Sequence, residues 1–134
     1  MSQKMIIVTF AIVALGCVSP RTDGFDVSIR EGESAKIMNV DNRAFSQAFS
    51  LENAYVRQEP SGYSIARIRI RNVWRDDISV QYKFRFFDKD DMELQLGARA
   101  WQQTIIHGGE SVSLSATAPD KSVARFAVRV RRSM

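Results

Sequence analysis

Side chains that commonly carry catalysis are scarce in this sequence. Its 134 residues include one cysteine, Cys17, and one histidine, His107. Nucleophilic catalysis needs a nucleophile beside an activating base, and Ser111, Ser113 and Ser115 form no such pair. A single histidine also cannot supply a histidine-based metal site. We therefore expect a protein that is not an enzyme, with no catalytic residue, no metal and no cofactor, and we interpret His107 as a turn residue.

Four carboxylates close together, Asp88, Asp90, Asp91 and Glu93, are the best candidate for a cation site. Ca²⁺ prefers about six to eight oxygen ligands. The segment is too short for an EF-hand loop and lacks its glycine. It also falls where a hairpin turn is predicted, and aspartate is common in turns for conformational reasons. We interpret these residues as a turn.

Cys17 lies at the end of a segment that is typical of membrane targeting. Lys4 precedes an apolar run, Met5–Gly16, that is shorter than the roughly 20 residues a transmembrane helix needs. Such a run fits the apolar region of a secretory signal peptide. Residues Val13–Cys17 resemble a bacterial lipobox, and this resemblance implies cleavage after Gly16 and a diacylglyceryl group on the Cys17 thiol. The alternative is an ordinary signal peptide that ends near a cysteine.

The residue after Cys17 indicates which membrane would hold a lipid-anchored protein. It is Val18, not the aspartate that is typical of inner-membrane retention in enteric bacteria. Each buried CH₂ of an acyl chain contributes about 0.8 kcal/mol, and more than one chain anchors a protein stably. We therefore expect a lipid-anchored protein on the periplasmic face of the outer membrane of a Gram-negative envelope.

Hydrophobicity alternates with a period of two along most of the remaining chain, which predicts strands with one buried and one wet face. The clearest runs are Ala66–Arg71, Ile78–Phe86, Val112–Ala116 and Ala124–Arg131, with weaker ones at Phe49–Arg57 and Ala35–Val40. Polar turns separate them, as in an all-β sandwich. We predict a single antiparallel β-sandwich of immunoglobulin or transthyretin type. The one candidate helical turn lies near Arg43–Gln47.

The sequence predicts three segments. Residues 1–16 form the signal peptide, residues 17–33 the lipidated cysteine and a flexible tether, and residues 34–134 the sandwich. The tether is predicted because its composition is polar with proline and glycine, which is typical of linkers. Within it, we expect at most a weak strand at residues 25–29.

The stretch from Asn72 to Arg131 resembles the YcfL-like family of small bacterial lipoproteins. The resemblance is carried by Asn72, the aromatic strand Val80–Asp88, Met92 with Glu93, Trp101, Ser113–Ala118 with Pro119, and Val128–Arg131. In that family the aromatic strand is usually followed by Asp-x-x-Gly. Asp91 stands in the place of the glycine, so we expect a different backbone conformation at this turn. The resemblance implies a β-sandwich with a lipid anchor and no established activity.

Basic residues alternate with apolar ones on two consecutive predicted strands. The candidate interaction face consists of Arg67, Arg69, Arg71, Lys83 and Arg85. Because the linker between the strands is short, we expect them to pair as a hairpin and to place all five charges on one face. Such a face would attract anionic lipid, polymer or protein, at about 1 kcal/mol for each basic side chain near an anionic membrane. The alternative is that these side chains only keep the outer strand faces soluble.

Three aromatic residues outside the clearest strands, Tyr63, Trp74 and Trp101, could anchor a protein interface. Trp101 matches a position of the YcfL-like pattern. We therefore favour the interpretation that these aromatic side chains fill the core.

The function predicted from the sequence is a non-catalytic protein-interaction module in the cell envelope. Its partners would be the membrane, through the lipid, and an envelope protein or anionic envelope polymer. Nucleic acid is not expected as a partner, because a net charge of +4 is too small to predict a nucleic-acid-binding protein from charge alone. The alternatives are a structural lipoprotein subunit of a secretion-like machine, and a periplasmic carrier of a lipid or small ligand, which needs an apolar cavity.

Overall fold

The computed structural model describes residues 23–94 and 100–133. Within these ranges, two antiparallel β-sheets pack face to face, and the all-β sandwich predicted from the period-two pattern is confirmed. No helix in the described part of the chain is long and apolar enough to cross a bilayer. The predicted signal peptide, the predicted lipid-bearing Cys17 and the start of the predicted tether lie outside the described residues.

The elements follow one another in a simple order. They are β1 (Gly24–Arg30), β2 (Lys36–Met38), α1 (Arg43–Gln47), β3 (Phe49–Gln58), β4 (Ser64–Asn72), β5 (Ile78–Phe87), β6 (Glu93–Leu94), β7 (Gln102–Ile106), β8 (Ser111–Thr117) and β9 (Arg125–Arg132). Sheet A has the order β2-β1-β9-β5, and β6 and β7 pair with the two ends of β5 on its other side. Sheet B has the order β3-β4-β8.

The core lies between the two sheets because alternate side chains of each strand point to the same side. From sheet B, Ile68 and Ile70 point inward and are at most 1% exposed. From sheet A, Val80 and Phe86 meet them from the other side, and Phe86 contacts Phe126 edge to face with ring centroids 5.5 Å apart. Burying such side chains contributes about 1.5–3 kcal/mol each relative to exposure, so this layer supplies most of the stability.

The helix α1 closes one end of the core. It begins at Asn42, whose side chain accepts a hydrogen bond from the backbone N–H of Phe45 at 3.2 Å. The ring of Phe45 is fully buried and packs against Phe25 and Phe49, with centroids 5.9 and 5.3 Å away. The turn expected near Arg43–Gln47 is therefore a capped helix that joins the starts of β1 and β3.

The sandwich begins at Gly24, earlier than the predicted boundary at residue 34. Strand β1 lies between β2 and β9 inside sheet A. Its apolar side chains, all at most 1% exposed, are Phe25, Val27 and Ile29. The prediction of a flexible tether was therefore wrong for residues 24–30. The average composition of the segment is polar, but its three apolar residues alternate and form one complete core-facing side of a strand.

Strands β4 and β5 do not form the predicted hairpin, because residues 73–77 carry the chain from sheet B to sheet A. Asn72, which is fully buried, fixes this crossing. Its Nδ2 donates to the carbonyl oxygens of Asp76 and Ile106 at 2.8 and 2.9 Å. Its Oδ1 accepts the backbone N–H of Trp74 at 2.9 Å. Every polar atom of this buried amide is thus paired, as burial demands.

The turn between β7 and β8 packs closely against the same crossing. A Cβ atom at Gly108 would lie 1.9 Å from the carbonyl oxygen of Arg75, so only glycine fits there. His107 lies at this turn, as expected, with its Nδ1 3.1 Å from a carboxylate oxygen of Asp77. That hydrogen bond raises the pKa of His107 and lowers the pKa of Asp77.

In the turn after β5, Asp91 stands in the place of the glycine of the YcfL-like pattern. Asp91 has a φ of 62°, in the left-handed region. Its carboxylate contacts Arg30 and Arg125 at 2.7 and 3.0 Å, and Asp88 Oδ1 accepts the N–H of Met92 at 3.0 Å. These contacts offset a cost of about 1–2 kcal/mol for a side chain in this conformation.

Candidate interaction surface

A row of arginines runs along the outer face of sheet B. Arg67, Arg69 and Arg71 are all exposed and lie on β4, the central strand of that sheet. Alternate residues of a strand lie about 7 Å apart, so the row is about 13 Å long. Arg67 and Arg71 have neither an ion pair nor a side-chain hydrogen bond to any other residue in the described ranges. Their charges therefore face solvent.

Hydroxyl side chains flank the arginine row on both sides. On β8, the residues opposite Arg71, Arg69 and Arg67 are Ser111, Ser113 and Ser115. On β3, the residues opposite Arg71 and Arg67 are Ser50 and Tyr55. Cross-strand neighbours lie about 5 Å apart, so guanidinium and hydroxyl donors are within reach of one ligand. Such donors suit phosphate, sulfate or carboxylate oxygens.

One carboxylate, Glu52, lies within this face. The register of β3 shifts between Leu51 and Asn53, which leaves Glu52 without a partner in the ladder. Its Oε1 accepts a hydrogen bond from Ser111 at 2.6 Å and one from Arg69 Nε at 3.2 Å. The Ser111 hydroxyl, followed by the Arg69 guanidinium, lowers the pKa of Glu52. Arg69 is therefore partly neutralised, and the charge of Arg71 also lowers the pKa of Glu52, whereas Arg67 has no such partner among the described residues.

The five residues predicted to share one face lie on opposite sides of the sandwich. Arg67, Arg69 and Arg71 belong to sheet B, whereas Lys83 and Arg85 lie on β5 in sheet A. The prediction was wrong because the short linker between the strands crosses between the sheets and does not reverse within one. Lys83 and Arg85 instead share their face with basic residues of β9, since Lys83 lies opposite Arg129.

Most charges on the outer face of sheet A are paired within the protein. Arg85 makes two hydrogen bonds to Glu93, at 2.7 and 3.0 Å, which raise the pKa of Arg85 and lower that of Glu93. Arg129 lies between the carboxylates of Asp26 and Asp41. This face is therefore built from internal ion pairs, and it offers less charge to a partner than the face of sheet B.

Trp101 also lies on the outer face of sheet A. The guanidinium carbon of Arg131 is 3.7 Å from its ring centroid, and Lys83 Nζ is 5.7 Å away. The expected core position was therefore wrong for Trp101, and also for Tyr63 and Trp74, which are 36% and 39% exposed. The core was already filled by phenylalanine and aliphatic side chains of the strands, which carry no polar atom to satisfy.

The acidic residues at the end of β5 serve the fold. Asp88 accepts backbone N–H groups of its own turn, Asp91 pairs with Arg30 and Arg125, and Glu93 pairs with Arg85. Within the described residues, no group of three or more metal-binding side chains is placed to hold an ion. Their use in the turn agrees with the interpretation made from the sequence.

Among the described residues, two surface grooves lie outside the core. One, of about 310 Å³, is lined by Arg30, Lys36, Asp91 and Arg125 among others, and its charges are largely paired with one another. The other, of about 410 Å³, lies beside α1 and is lined by Val40, Asp41, Arg43, Ser46 and Gln47. Most residues that line them are polar or charged, whereas a lipid carrier would need an apolar cavity.

Sequence reasoning missed the flanking residues of the sheet B surface, above all Glu52, Tyr55 and the three serines. The alternation on β8 was visible, but it did not indicate which strand lies beside it. Pairing of β4 with β8 joins residues that are 40 or more positions apart, and no local pattern reveals such a contact. The outer face of β4 with its neighbours, called the arginine surface below, is the better candidate site.

The chain matches one known protein family. Residues 36–132 match the family described as protein of unknown function (DUF1425). No curated protein matches the chain.

Two solved structures share the fold. A DUF1425 family member from Shewanella sp. pv-4 aligns with a TM-score of 0.58 and 19% identity, covering 87% of this chain and 94% of that one. Protein cj0090 of Campylobacter jejuni aligns with a TM-score of 0.56 and 23% identity, covering 62% of this chain and 85% of that one. Both likenesses concern the fold.

Proposed function

We propose a function from the premise that the chain belongs to the DUF1425 family, whose description assigns no activity. Within that family, we propose that it is a YcfL-like lipoprotein, anchored by acyl chains on Cys17 at the periplasmic face of the outer membrane. Its sandwich is a non-catalytic interaction module. The arginine surface binds an anionic partner in the envelope, either an acidic protein segment or an anionic polymer.

The observation that carries this proposal is the row of three exposed arginines on β4, with hydroxyl groups on both sides and one carboxylate, Glu52, beside them. Arg30, Arg85 and Arg125 each have a carboxylate within 3.0 Å. Arg67 and Arg71 have no ion pair among the described residues, which is also true of Arg43 and Arg75, but Arg67 and Arg71 lie in one row on the face of a strand. Any polar residue on the outer face of a central strand would keep the surface soluble. Solubility alone therefore does not explain why all three positions are arginine.

The edge of sheet B offers a second element of recognition. Strand β8 pairs with β4 on one side, and its other side has no strand among the described residues. An extended segment that added to this edge would make main-chain hydrogen bonds there. Its acidic side chains would then lie beside the serines and the arginine row.

Reversing two charges tests the proposal. The variant Arg67→Glu/Arg71→Glu should weaken partner binding at least about tenfold, because each basic contact contributes about 1 kcal/mol and is replaced by repulsion. A photo-crosslinking residue at Ser113, between the two arginines and on β8, reports binding in cells, and mass spectrometry identifies the product. The matched control, Lys36→Glu/Lys89→Glu, makes the same change in net charge at exposed positions away from this face.

We expect the Ser113 crosslink to persist in the control and to be lost in the arginine variant. Equal crosslinking in both variants would refute a role for the arginine surface. The anchor is tested separately by metabolic labelling with a palmitate analogue. Wild-type protein should be labelled and Cys17→Ser should not, while an unlabelled wild-type protein would contradict the lipid anchor.

A further inference from the structure

The start of β1 limits how far the sandwich can stand from a lipid on Cys17. Six residues, 18–23, lie between that cysteine and Gly24. Even a fully extended chain of this length spans at most about 25 Å. The ten-residue strands β3 and β5 are longer, at about 33 Å. If Cys17 is acylated as proposed, the end of the sandwich where β1 begins stays within about 25 Å of the bilayer surface.

This end of the sandwich, called the proximal end below, carries an exposed apolar loop. It contains the start of β1, helix α1, the crossing at residues 73–77 and the turn between β7 and β8. In the crossing, Val73 is 51% and Trp74 39% exposed, and Val40 nearby in the chain before α1 is 42% exposed. Tryptophan with an aliphatic neighbour is typical of side chains at the interface of a membrane, because the ring is apolar and its N–H is polar.

The loop is held rigidly in this exposed position. The N–H of Val73 donates to the carbonyl oxygen of Ala48 at 2.9 Å, and the N–H of Trp74 donates to Asn72 Oδ1 at 2.9 Å. The close approach of Gly108 to the Arg75 carbonyl fixes the other side. These contacts fix the loop in a conformation that exposes large apolar side chains. Such a loop is suited to inserting those side chains into an apolar partner.

Charges at the proximal end are partly paired. Three carboxylates there have internal partners, since Asp23 pairs with Arg132, Asp41 with Arg129 and Asp77 with His107. Further charged side chains near this end are the basic Arg43, Arg71, Arg75 and Arg131 and the acidic Asp76 and Glu110. A small excess of positive charge is compatible with contact with anionic lipid headgroups, beside the apolar contact of the loop.

We infer that the proximal end rests on the bilayer, with Val73 and Trp74 inserted into the headgroup region of the membrane that holds the lipid anchor. This inference depends on the anchor in the proposed function, and it adds the orientation of the domain. The strands then stand away from the bilayer, and the arginine surface faces sideways along the membrane. Insertion should survive an increase in salt concentration, because it depends on apolar contact.

Tryptophan fluorescence tests the inference, because the chain has two tryptophans on different parts of the molecule. Full-length Trp101→Phe protein, expressed with the lipid attached and purified in detergent, retains Trp74 as its reporter. It is reconstituted into vesicles of phosphatidylethanolamine and phosphatidylglycerol with and without brominated acyl chains. We expect the Trp74 emission to shift to shorter wavelength and to be quenched by bromine, at low and high salt alike.

The reciprocal variant, Trp74→Phe, is the matched control. It reports Trp101, which lies further along the outer face of sheet A beside Arg131, and we expect much weaker quenching by brominated lipid than for Trp74. If Trp101→Phe does not fold, the difference between the wild-type and Trp74→Phe spectra gives the same information. Palmitate labelling of the same preparations separates the outcomes. Labelled protein whose Trp74 is not quenched would overturn the orientation and leave the anchor intact, whereas unlabelled protein would remove both the anchor and the inference.

Discussion

Replacing Val27 with aspartate is expected to lower the free energy of unfolding by about 4 kcal/mol or more, the range of mutations that bury an unpaired charge. Val27 is 0% exposed and lies between Val128 of β9 and Ile37 of β2. A carboxylate there would face the core, and neither cross-strand neighbour could supply a positive charge. Since small domains are stable by only about 5–15 kcal/mol, a loss of this size removes a large share of the stability and should lower the unfolding midpoint strongly. Thermal unfolding followed by circular dichroism measures the effect.

The matched control is Ser28→Asp, one residue further along β1. Ser28 lies on the outer face of sheet A, where its hydroxyl accepts a hydrogen bond from Arg125 at 3.0 Å. An aspartate there would keep a basic neighbour, and we expect a change within about 0.5 kcal/mol. If residues 24–30 were a tether, both substitutions would be equally harmless. That result would contradict the placement of β1 inside sheet A.

Asn72→Ala should lower the free energy of unfolding by about 3 kcal/mol. The reason is that each buried polar group left without a partner costs about 1–3 kcal/mol. The substitution would leave the carbonyl oxygens of Asp76 and Ile106 and the N–H of Trp74 unpaired. For a domain of this size, the midpoint of thermal unfolding should fall by roughly 15 °C. The crossing between the sheets should loosen before the rest, which hydrogen exchange at Trp74 would report.

A second asparagine provides the control for this prediction. Asn53 is exposed on β3, and its side chain makes no hydrogen bond to another residue in the described ranges. Asn53→Ala should therefore change stability by no more than about 0.5 kcal/mol. Equal effects at both positions would show that the amide of Asn72 does not hold the crossing. The isosteric variant Asn72→Asp should be at least as damaging as Asn72→Ala, because a carboxylate cannot donate to the two carbonyl oxygens.

The proximal end joins the stability predictions to the proposals on function. Asn72 positions Trp74, and β1 fixes the distance between the sandwich and Cys17. A loosened crossing should therefore affect both folding and the proposed contact with lipid. The arginine surface lies on the outer face of sheet B, where charge reversal should change binding with little change in the unfolding midpoint.

The sequence by itself determined the all-β class, most strands and their inward faces. A period of two is a local property, since each strand must place alternate side chains in the core wherever its partner lies. It also determined the turn role of the acidic residues after β5, because turn chemistry depends on neighbours in the chain.

Only the tertiary structure decided which strands share a sheet. The pairing of β4 with β3 and β8 depends on contacts distant in sequence, so it separated Arg67, Arg69 and Arg71 from Lys83 and Arg85. It also placed β1 in the middle of sheet A, because β9, about a hundred residues later, supplies its partner. Local patterns state which side of a strand is buried, whereas the partner of that strand depends on how all the apolar faces can be covered at once.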